Sequence, residues 1–90
     1  MRLDLFLKTS RLVKRRTVAQ ELCDAGRVLV NGAAAKPAKE VRPGDILTVA
    51  FSSRTVEIEV LGLPLRSRAA TPEEIYRIRS DERRQDENSV

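Results

Sequence analysis

The first ten residues of the chain place apolar side chains with the period of a short helix. Leu3, Phe6 and Leu7 follow the i, i+3, i+4 spacing that gathers apolar side chains on one helical face. Asp4 and Lys8 lie off that face, four residues apart, a spacing at which opposite charges on a helix surface can pair. The pattern predicts a first helix with one buried face and one charged face.

A second amphipathic helix is predicted from about Arg16 or Thr17 to Ala25. Its apolar stripe consists of Val18, Leu22 and Ala25, with Ala19 and Cys23 beside it, and its outer face carries Gln20, Glu21 and Asp24. Gly26 follows directly, at the position where a residue in the left-handed conformation commonly ends a helix. The helix is therefore expected to stop before residue 27.

The middle of the chain has the two-residue period of β-strands. The segment "RVLVNG" alternates and ends in Asn31-Gly32, a strong hairpin-turn signal. An irregular stretch follows, and Pro43-Gly44 marks a second tight turn. The segments "DILTVAF" and "RTVEIEVLGL" are predicted to form a hairpin through Ser52 and Ser53, with an inward face made of Val56, Ile58 and Val60.

The C-terminal part carries a helix-start signal. Thr71, Pro72 and Glu74 have the spacing of a capping box with proline at the first helical position. They predict a short helix over "ATPEEIYRI", and the polar residues after Asp81 are expected to form a disordered tail. The resulting fold class is α+β: two short helices on a small sheet in a domain of residues 1–65, followed by this helix and tail in residues 66–90.

Composition narrows the class of protein. Ninety residues make one small domain, and the net charge is +4. The first 42 residues hold ten Lys and Arg against four Asp and Glu, while residues 66–90 hold six of each kind. A basic region of this kind most often binds nucleic acid and less often an anionic membrane surface, although it can also be a solvated charged face.

Several function classes are disfavoured. The chain has no His and a single Cys, so it lacks the commonest metal ligand and general base and can form no internal disulfide. We expect no cofactor, no metal and no catalysis. Charged residues interrupt every apolar stretch, and nothing resembles a signal peptide, so we expect a cytoplasmic protein with no membrane partner.

The basic residues converge on the start of the second helix. Lys14, Arg15 and Arg16 precede it, where free backbone N–H groups and the helix dipole favour an anion. Cations from the preceding helix extend this patch, and its far edge is expected from residues beside the first strand: Arg2, Lys8 and Arg11, then Arg27 and Lys36. Because the region lacks aromatic stacking platforms and base-reading side chains, recognition of the backbone and shape of structured RNA fits better than DNA reading.

The order of these motifs closely resembles the S-four-type (alpha-L) RNA-binding domain, which is shared with a bacterial ribosomal protein. The matching segments are R-x-D-x-F-L at 2–7, SRL-x-KRR-T at 10–17, G-x-V-x-V-N-G at 26–32 and V-x-x-G-D at 41–45, within a region from about Met1 to Phe51. The resemblance implies two short helices packed on a small sheet. The candidate RNA-binding residues are then Arg2, Lys8, Arg11, Lys14, Arg15, Arg16, Thr17, Arg27 and Lys36.

Among stand-alone members of about this length, the chain looks most like the RqcP family of ribosome quality control factors. That resemblance implies binding to large-subunit rRNA and P-site peptidyl-tRNA on obstructed large ribosomal subunits. It also implies cooperation with RqcH, support of C-terminal alanine tailing of stalled nascent chains, and a monomeric state. A heat-shock-type large-subunit recycling factor and a general rRNA-binding protein are the alternatives. Enzymes that carry this domain need a much larger catalytic domain, and only 39 residues follow Phe51.

The basic patch makes a prediction about ionic strength. If Arg2, Arg11, Lys14, Arg15 and Arg16 each neutralise one phosphate, the logarithm of RNA affinity should fall with the logarithm of salt concentration with a slope of about −4 to −5. Titrations of labelled RNA over a range of salt concentrations measure this slope. A nearly flat salt dependence would rule out binding through these cations.

Overall fold

The computed structural model describes residues 1–63 and 75–83. These described residues contain the helices α1 and α2 and one antiparallel sheet in the strand order β2-β1-β3-β4-β5. The elements are α1 (Leu3–Thr9), α2 (Arg16–Asp24), β1 (Val28–Val30), β2 (Ala33–Ala34), β3 (Ile46–Ala50), β4 (Arg54–Val60) and β5 (Tyr76–Arg83). Within these described residues, neither helix has the length and apolarity that crossing a bilayer requires. The α+β class and the two helices packed with a small sheet are confirmed.

The two turns predicted from glycine are present, and β3 and β4 form the hairpin predicted through Ser52 and Ser53. Asn31 and Gly32 have φ values of 53° and 87°, the left-handed pair that a two-residue hairpin turn needs. They join β1 to the two-residue strand β2, which lies in the stretch that the sequence predicts to be irregular. Gly44 has φ of 96° in the Pro43-Gly44 turn, where the Asp45 N–H donates to the Arg42 carbonyl. These turns are set by local chemistry, which is why the sequence predicts them.

The core lies between the helices and one face of the sheet. Leu3, Phe6 and Leu7 of α1 are fully buried, as their spacing predicts. On the sheet, every second residue points into the core: Val28, Val30, Leu47, Val49, Val56, Ile58 and Val60. The alternation predicted for β1 and the inward face predicted for Val56, Ile58 and Val60 of β4 are therefore confirmed. Among the described residues the core is mainly aliphatic, with Phe6 as its buried aromatic side chain.

The buried face of α2 differs from the prediction. Ala19 and Cys23, one turn apart, are its buried residues, whereas Val18 is 40% exposed and Ala25 is exposed. Leu22 is only partly buried. The helix approaches the core through its smallest apolar side chains because short side chains permit close packing. The prediction that Val18, Leu22 and Ala25 form the buried stripe was therefore wrong, because the buried face is the neighbouring one that carries Ala19 and Cys23.

The C-terminal helix is not confirmed. From Tyr76 to Arg83 the chain forms β5, which pairs with the whole length of β4 and has a register shift beside Glu57 and Ile58. Cross-strand ion pairs join Arg77 to Glu59 at 2.5 Å and Arg54 to Asp81 at 3.6 Å. From Tyr76 onward, pairing with the edge of β4 therefore replaces the end of the predicted helix. The predicted start at residues 70–74 and the tail at 84–90 lie outside the described residues, but Glu82 and Arg83 belong to the strand.

The exposed face of α2 and the buried face of the sheet give a stability prediction. Val18→Ala should change the free energy of unfolding by less than about 0.5 kcal/mol, because it replaces an exposed side chain with a better helix former. Leu47→Ala should cost about 2–5 kcal/mol, since Leu47 is fully buried. Chemical denaturation of both variants measures the two values. Comparable losses would contradict this assignment of the helix face.

Candidate nucleic-acid interface

A buried carboxylate organises the ends of the two helices. Asp4, in the first turn of α1, is fully buried. Its Oδ1 accepts from the Leu5 N–H at 2.8 Å and from Arg2 Nε at 3.2 Å. Its Oδ2 accepts from Gln20 Nε2 at 2.9 Å, Arg16 Nε at 3.2 Å and Arg2 Nη2 at 3.3 Å. We call Asp4, Arg2, Arg16 and Gln20 the Asp4 cluster.

The predicted surface roles of two of these residues were wrong. Asp4 does not pair with Lys8 along the surface of α1, and Gln20 does not simply face solvent. A carboxylate without contact to water needs charged or hydrogen-bonding partners, and α2 supplies them from positions 12 and 16 residues further along the chain. The helical period cannot reveal partners at such separations.

The cluster keeps Asp4 ionised. Burial by itself raises the pKa of the Asp4 carboxyl, but hydrogen bonds from Gln20, Arg16 and the Leu5 N–H outweigh burial. The net result is a pKa below the ordinary aspartate value of 3.8. At neutral pH the two arginines are therefore held by a full negative charge.

The loop before Val41 closes the N-terminus of α1. The Leu3 N–H donates to the Lys39 carbonyl at 2.8 Å, and the Asp4 N–H donates to the Pro37 carbonyl at 3.1 Å. These contacts place Lys36 and Lys39, both exposed, beside the start of α1 and its Asp4 cluster. Lys39 was not among the predicted candidates. The one feature of the sequence that could have indicated it is the pair of lysines in "KPAK", of which Lys36 was predicted.

The N-terminus of α2 is open by comparison. Its N-cap residue, Arg15, makes no side-chain capping bond, and its first turn contains no acidic residue. Arg15, Arg16 and Thr17 are all exposed there, and Lys14 is exposed just before them. The free N–H groups of a helix start attract anions, so these residues surround a region of positive potential.

Lys8 and Arg11 lie at the opposite end of α1 from Arg2. The Arg11 N–H donates to the Lys8 carbonyl at 3.1 Å, and Arg11 has φ of 69°. The left-handed conformation turns the chain sharply after α1 and presents an arginine at a position that glycine or asparagine more commonly occupies. Both side chains are exposed and border the loop that leads to Lys14.

Arg27 lies apart from the other candidates. It follows the C-terminal end of α2, and its Nη1 donates to the Ala50 carbonyl at 3.3 Å. An α-helix rises about 1.5 Å per residue, so the nine residues of α2 separate Arg27 from Arg16 by roughly 12 Å or more. The structure thus brings eight of the nine predicted residues to the α1–α2 side around the two helix starts and their connecting loop, but not Arg27.

Charge is balanced on the sheet and unbalanced at the helices. On β4 and β5, Arg54, Arg77 and Arg79 each lie within 4 Å of a carboxylate. Among the described residues, no carboxylate pairs with Lys8, Arg11, Lys14, Arg15 or Lys36. The unneutralised positive charge is therefore concentrated at the helices, the side on which an anionic polymer would be attracted.

The described residues show neither a metal-binding cluster nor a reactive thiol. In the part of the chain that the structure describes, no group of three or more His, Cys, Asp or Glu side chains could hold a metal ion. Cys23 is buried, and burial, together with the charges of Asp4 and Asp24, raises the pKa of its thiol to about 11. This thiol therefore stays protonated at neutral pH and packs as an apolar side chain.

Comparison with known families identifies the class of protein. Residues 1–47, which include both helices, the predicted basic segment and the loop that caps α1, match the S4 domain. The chain is thus an S4-domain protein, the RNA-binding class whose motifs the sequence resembles, and the prediction that it is a non-catalytic RNA-binding protein is confirmed.

Similarity over nearly the whole chain identifies the family within the S4-domain class to which the protein belongs. It is 45% identical to the RQC P-site tRNA stabilizing factor of Bacillus subtilis, over 92% of this chain and 96% of that protein. The factor of the same name from Halalkalibacterium halodurans is 42% identical, over 91% and 93%. The chain belongs to this family of RQC P-site tRNA stabilizing factors (RqcP), as its motifs predict.

A solved structure supports the fold. Heat Shock Protein 15 of Vibrio cholerae superimposes with a TM-score of 0.76 and 30% sequence identity, over 87% of this chain and 80% of that one. That protein was solved as a trimer. The similarity confirms the S4-like arrangement of helices and sheet.

The pKa of Asp4 gives a prediction about acid stability. Because folding lowers this pKa, the carboxylate stabilises the fold above the ordinary pKa of 3.8, and this contribution is lost as the pH falls through the folded value. Asp4→Asn should therefore cost about 1–3 kcal/mol of unfolding free energy at neutral pH. The difference from wild type should shrink below about pH 4.

Denaturant titrations of both proteins between neutral and acidic pH measure this difference. Asp24→Asn is the matched control, because it removes an exposed carboxylate and should change stability by less than about 0.5 kcal/mol. A difference between wild type and Asp4→Asn that stays constant into the acidic range would show that the charge of Asp4 does not stabilise the fold.

Proposed function

We propose that the chain is a ribosome quality control factor that binds large-subunit rRNA and P-site peptidyl-tRNA on obstructed large ribosomal subunits. By holding the tRNA in place it supports addition of C-terminal alanine tails to the stalled nascent chain, with RqcH as its functional partner. It acts in the cytoplasm as a monomer. Its RNA-binding residues are Arg2, Lys8, Arg11, Lys14, Arg15, Arg16, Thr17 and Lys36, with Arg27 at the margin.

The observation that carries this proposal is the concentration of cations around the helix starts, most of them without a carboxylate partner among the described residues. The chain that bears them matches the named relatives almost end to end. The relatives are called P-site tRNA stabilizing factors, and the match includes the segments that supply these cations. Recognition through exposed Lys and Arg suits the phosphate backbone of rRNA and tRNA, where shape is read more than base sequence. The absence of exposed aromatic side chains in residues 1–47 agrees with this mode.

A second function is favoured by the structural neighbour. The similarity to Heat Shock Protein 15 keeps open the alternatives that the sequence resemblance implies, a heat-shock-type large-subunit recycling factor or a general rRNA-binding protein. General rRNA binding differs from the proposed function in the population of subunits that the protein would occupy, and a sedimentation experiment separates these two.

The first test is co-sedimentation from lysate on a sucrose gradient. Wild type should travel with a minor population of free large subunits that carry peptidyl-tRNA. Arg16→Ala should remain near the top, because it removes an exposed guanidinium from the open start of α2. Some loss of stability is expected as well, since Arg16 also contacts Asp4, so circular dichroism of this variant must first show that it is folded.

Arg79→Ala is the matched control for charge. It also removes one exposed arginine, but from β5 on the sheet, where Glu57 lies 3.7 Å away. This variant should sediment like wild type. Wild type on every large subunit would favour the general rRNA-binding role, and its absence from ribosomal fractions would contradict both functions.

A further inference from the structure

We propose that Asp4 and Gln20 are positioning residues for RNA binding, which fix Arg2 and Arg16 side by side as one clamp for neighbouring phosphates of an RNA strand. The inference rests on the proposed function, because it takes RNA as the ligand. Neither Asp4 nor Gln20 is expected to contact the RNA directly. Their contribution acts through the two arginines.

The geometry fixes both guanidinium groups on one carboxylate oxygen. Arg16 Nε and Arg2 Nη2 lie 3.2 Å and 3.3 Å from Asp4 Oδ2, so the two groups are neighbours. Arg16 donates one of its five N–H groups to Asp4, and Arg2 donates two. The side chains remain 42% and 49% exposed, which leaves their other donors available to a ligand.

Gln20 completes the arrangement from α2. Its amide donates to the same Oδ2 at 2.9 Å, so the carboxylate is held from both helices. A long arginine side chain loses rotamer freedom when it binds a phosphate, and ordering it in advance lowers that cost. The cluster orders two such side chains before RNA arrives.

The charge of Asp4 makes the inference testable by the sign of an effect. Simple electrostatics predicts that removing any carboxylate from a basic RNA-binding protein strengthens binding, because the net charge becomes more positive. Asp4 is fully buried and already surrounded by cations, so its repulsion of a phosphate is small. If positioning dominates, removing this one carboxylate must weaken binding instead.

The experiment compares wild type, Asp4→Asn and Asp24→Asn in binding to a labelled RNA hairpin and to purified large ribosomal subunits. Both substitutions raise the net charge by one. Asp4→Asn should weaken binding by roughly tenfold, the effect of releasing two ordered side chains. Asp24 is exposed at the far end of α2, and Asp24→Asn should bind as well as wild type or slightly better.

Gln20→Met provides a test without a change in charge. Methionine has a similar length and favours helix but cannot donate to Asp4, so binding should weaken by roughly two- to fivefold. Arg16→Lys gives a further check, because lysine keeps the charge and lacks the Nε–H. Its effect on affinity should be smaller in the Asp4→Asn background than in wild type, whereas Asp24→Asn should leave it unchanged.

The salt dependence of RNA affinity distinguishes misplaced arginines from partial unfolding as the cause of weaker binding by Asp4→Asn. Misplaced arginines make fewer phosphate contacts, so the salt slope of Asp4→Asn should be shallower than that of wild type. A partly unfolded sample would lose active fraction at an unchanged slope, and that result would overturn the positioning role. Binding by Asp4→Asn as tight as wild type would overturn it too, whereas failure of wild type itself to bind RNA would overturn the proposed function.

Discussion

The contacts of one buried carboxylate hold the helical half of the molecule in its arrangement. Asp4 accepts hydrogen bonds from the Leu5 N–H of its own helix, from Arg2, which precedes that helix, and from two residues of α2. Burying an ionised group is unfavourable unless nearly all of its hydrogen-bonding capacity is used. Asp4 meets this condition only when the two helices are correctly docked, so the same contacts that satisfy it also fix Arg2 and Arg16 at the surface.

The charged residues of α2 are arranged in the order opposite to the one that stabilises a helix through its dipole. Arginines lie at its start, where the helix dipole favours acidic residues, and Asp24 lies at its end, where the dipole favours basic ones. Neither end gains stability from this order. The arrangement is understandable if the start of α2 is an anion-binding surface, since function commonly overrides the local rules of stability at such positions. The nearby Asp4 carboxylate offsets part of the repulsion.

The sequence predicts the features of this fold that depend on short-range chemistry. The buried face of α1, the alternation of β1 and β4, and the turns at Asn31-Gly32 and Pro43-Gly44 all follow from local spacing or from residues that tolerate positive φ. Features that depend on distant partners are missed. The burial of Asp4 requires α2, the conversion of residues 76–83 to a strand requires β4, and the contact of α2 through Ala19 and Cys23 requires the core it packs against.

The closure of α1 by residues 37–39 also has a consequence for the order of folding. A seven-residue helix is too short to persist in water without outside contacts, and its first N–H groups find their carbonyl partners 33 to 36 residues further along the chain. As the protein emerges during its own synthesis, α1 can become stable only after the segment leading into Val41 is available. The ordered form of the basic surface therefore appears late relative to the synthesis of the residues that form it.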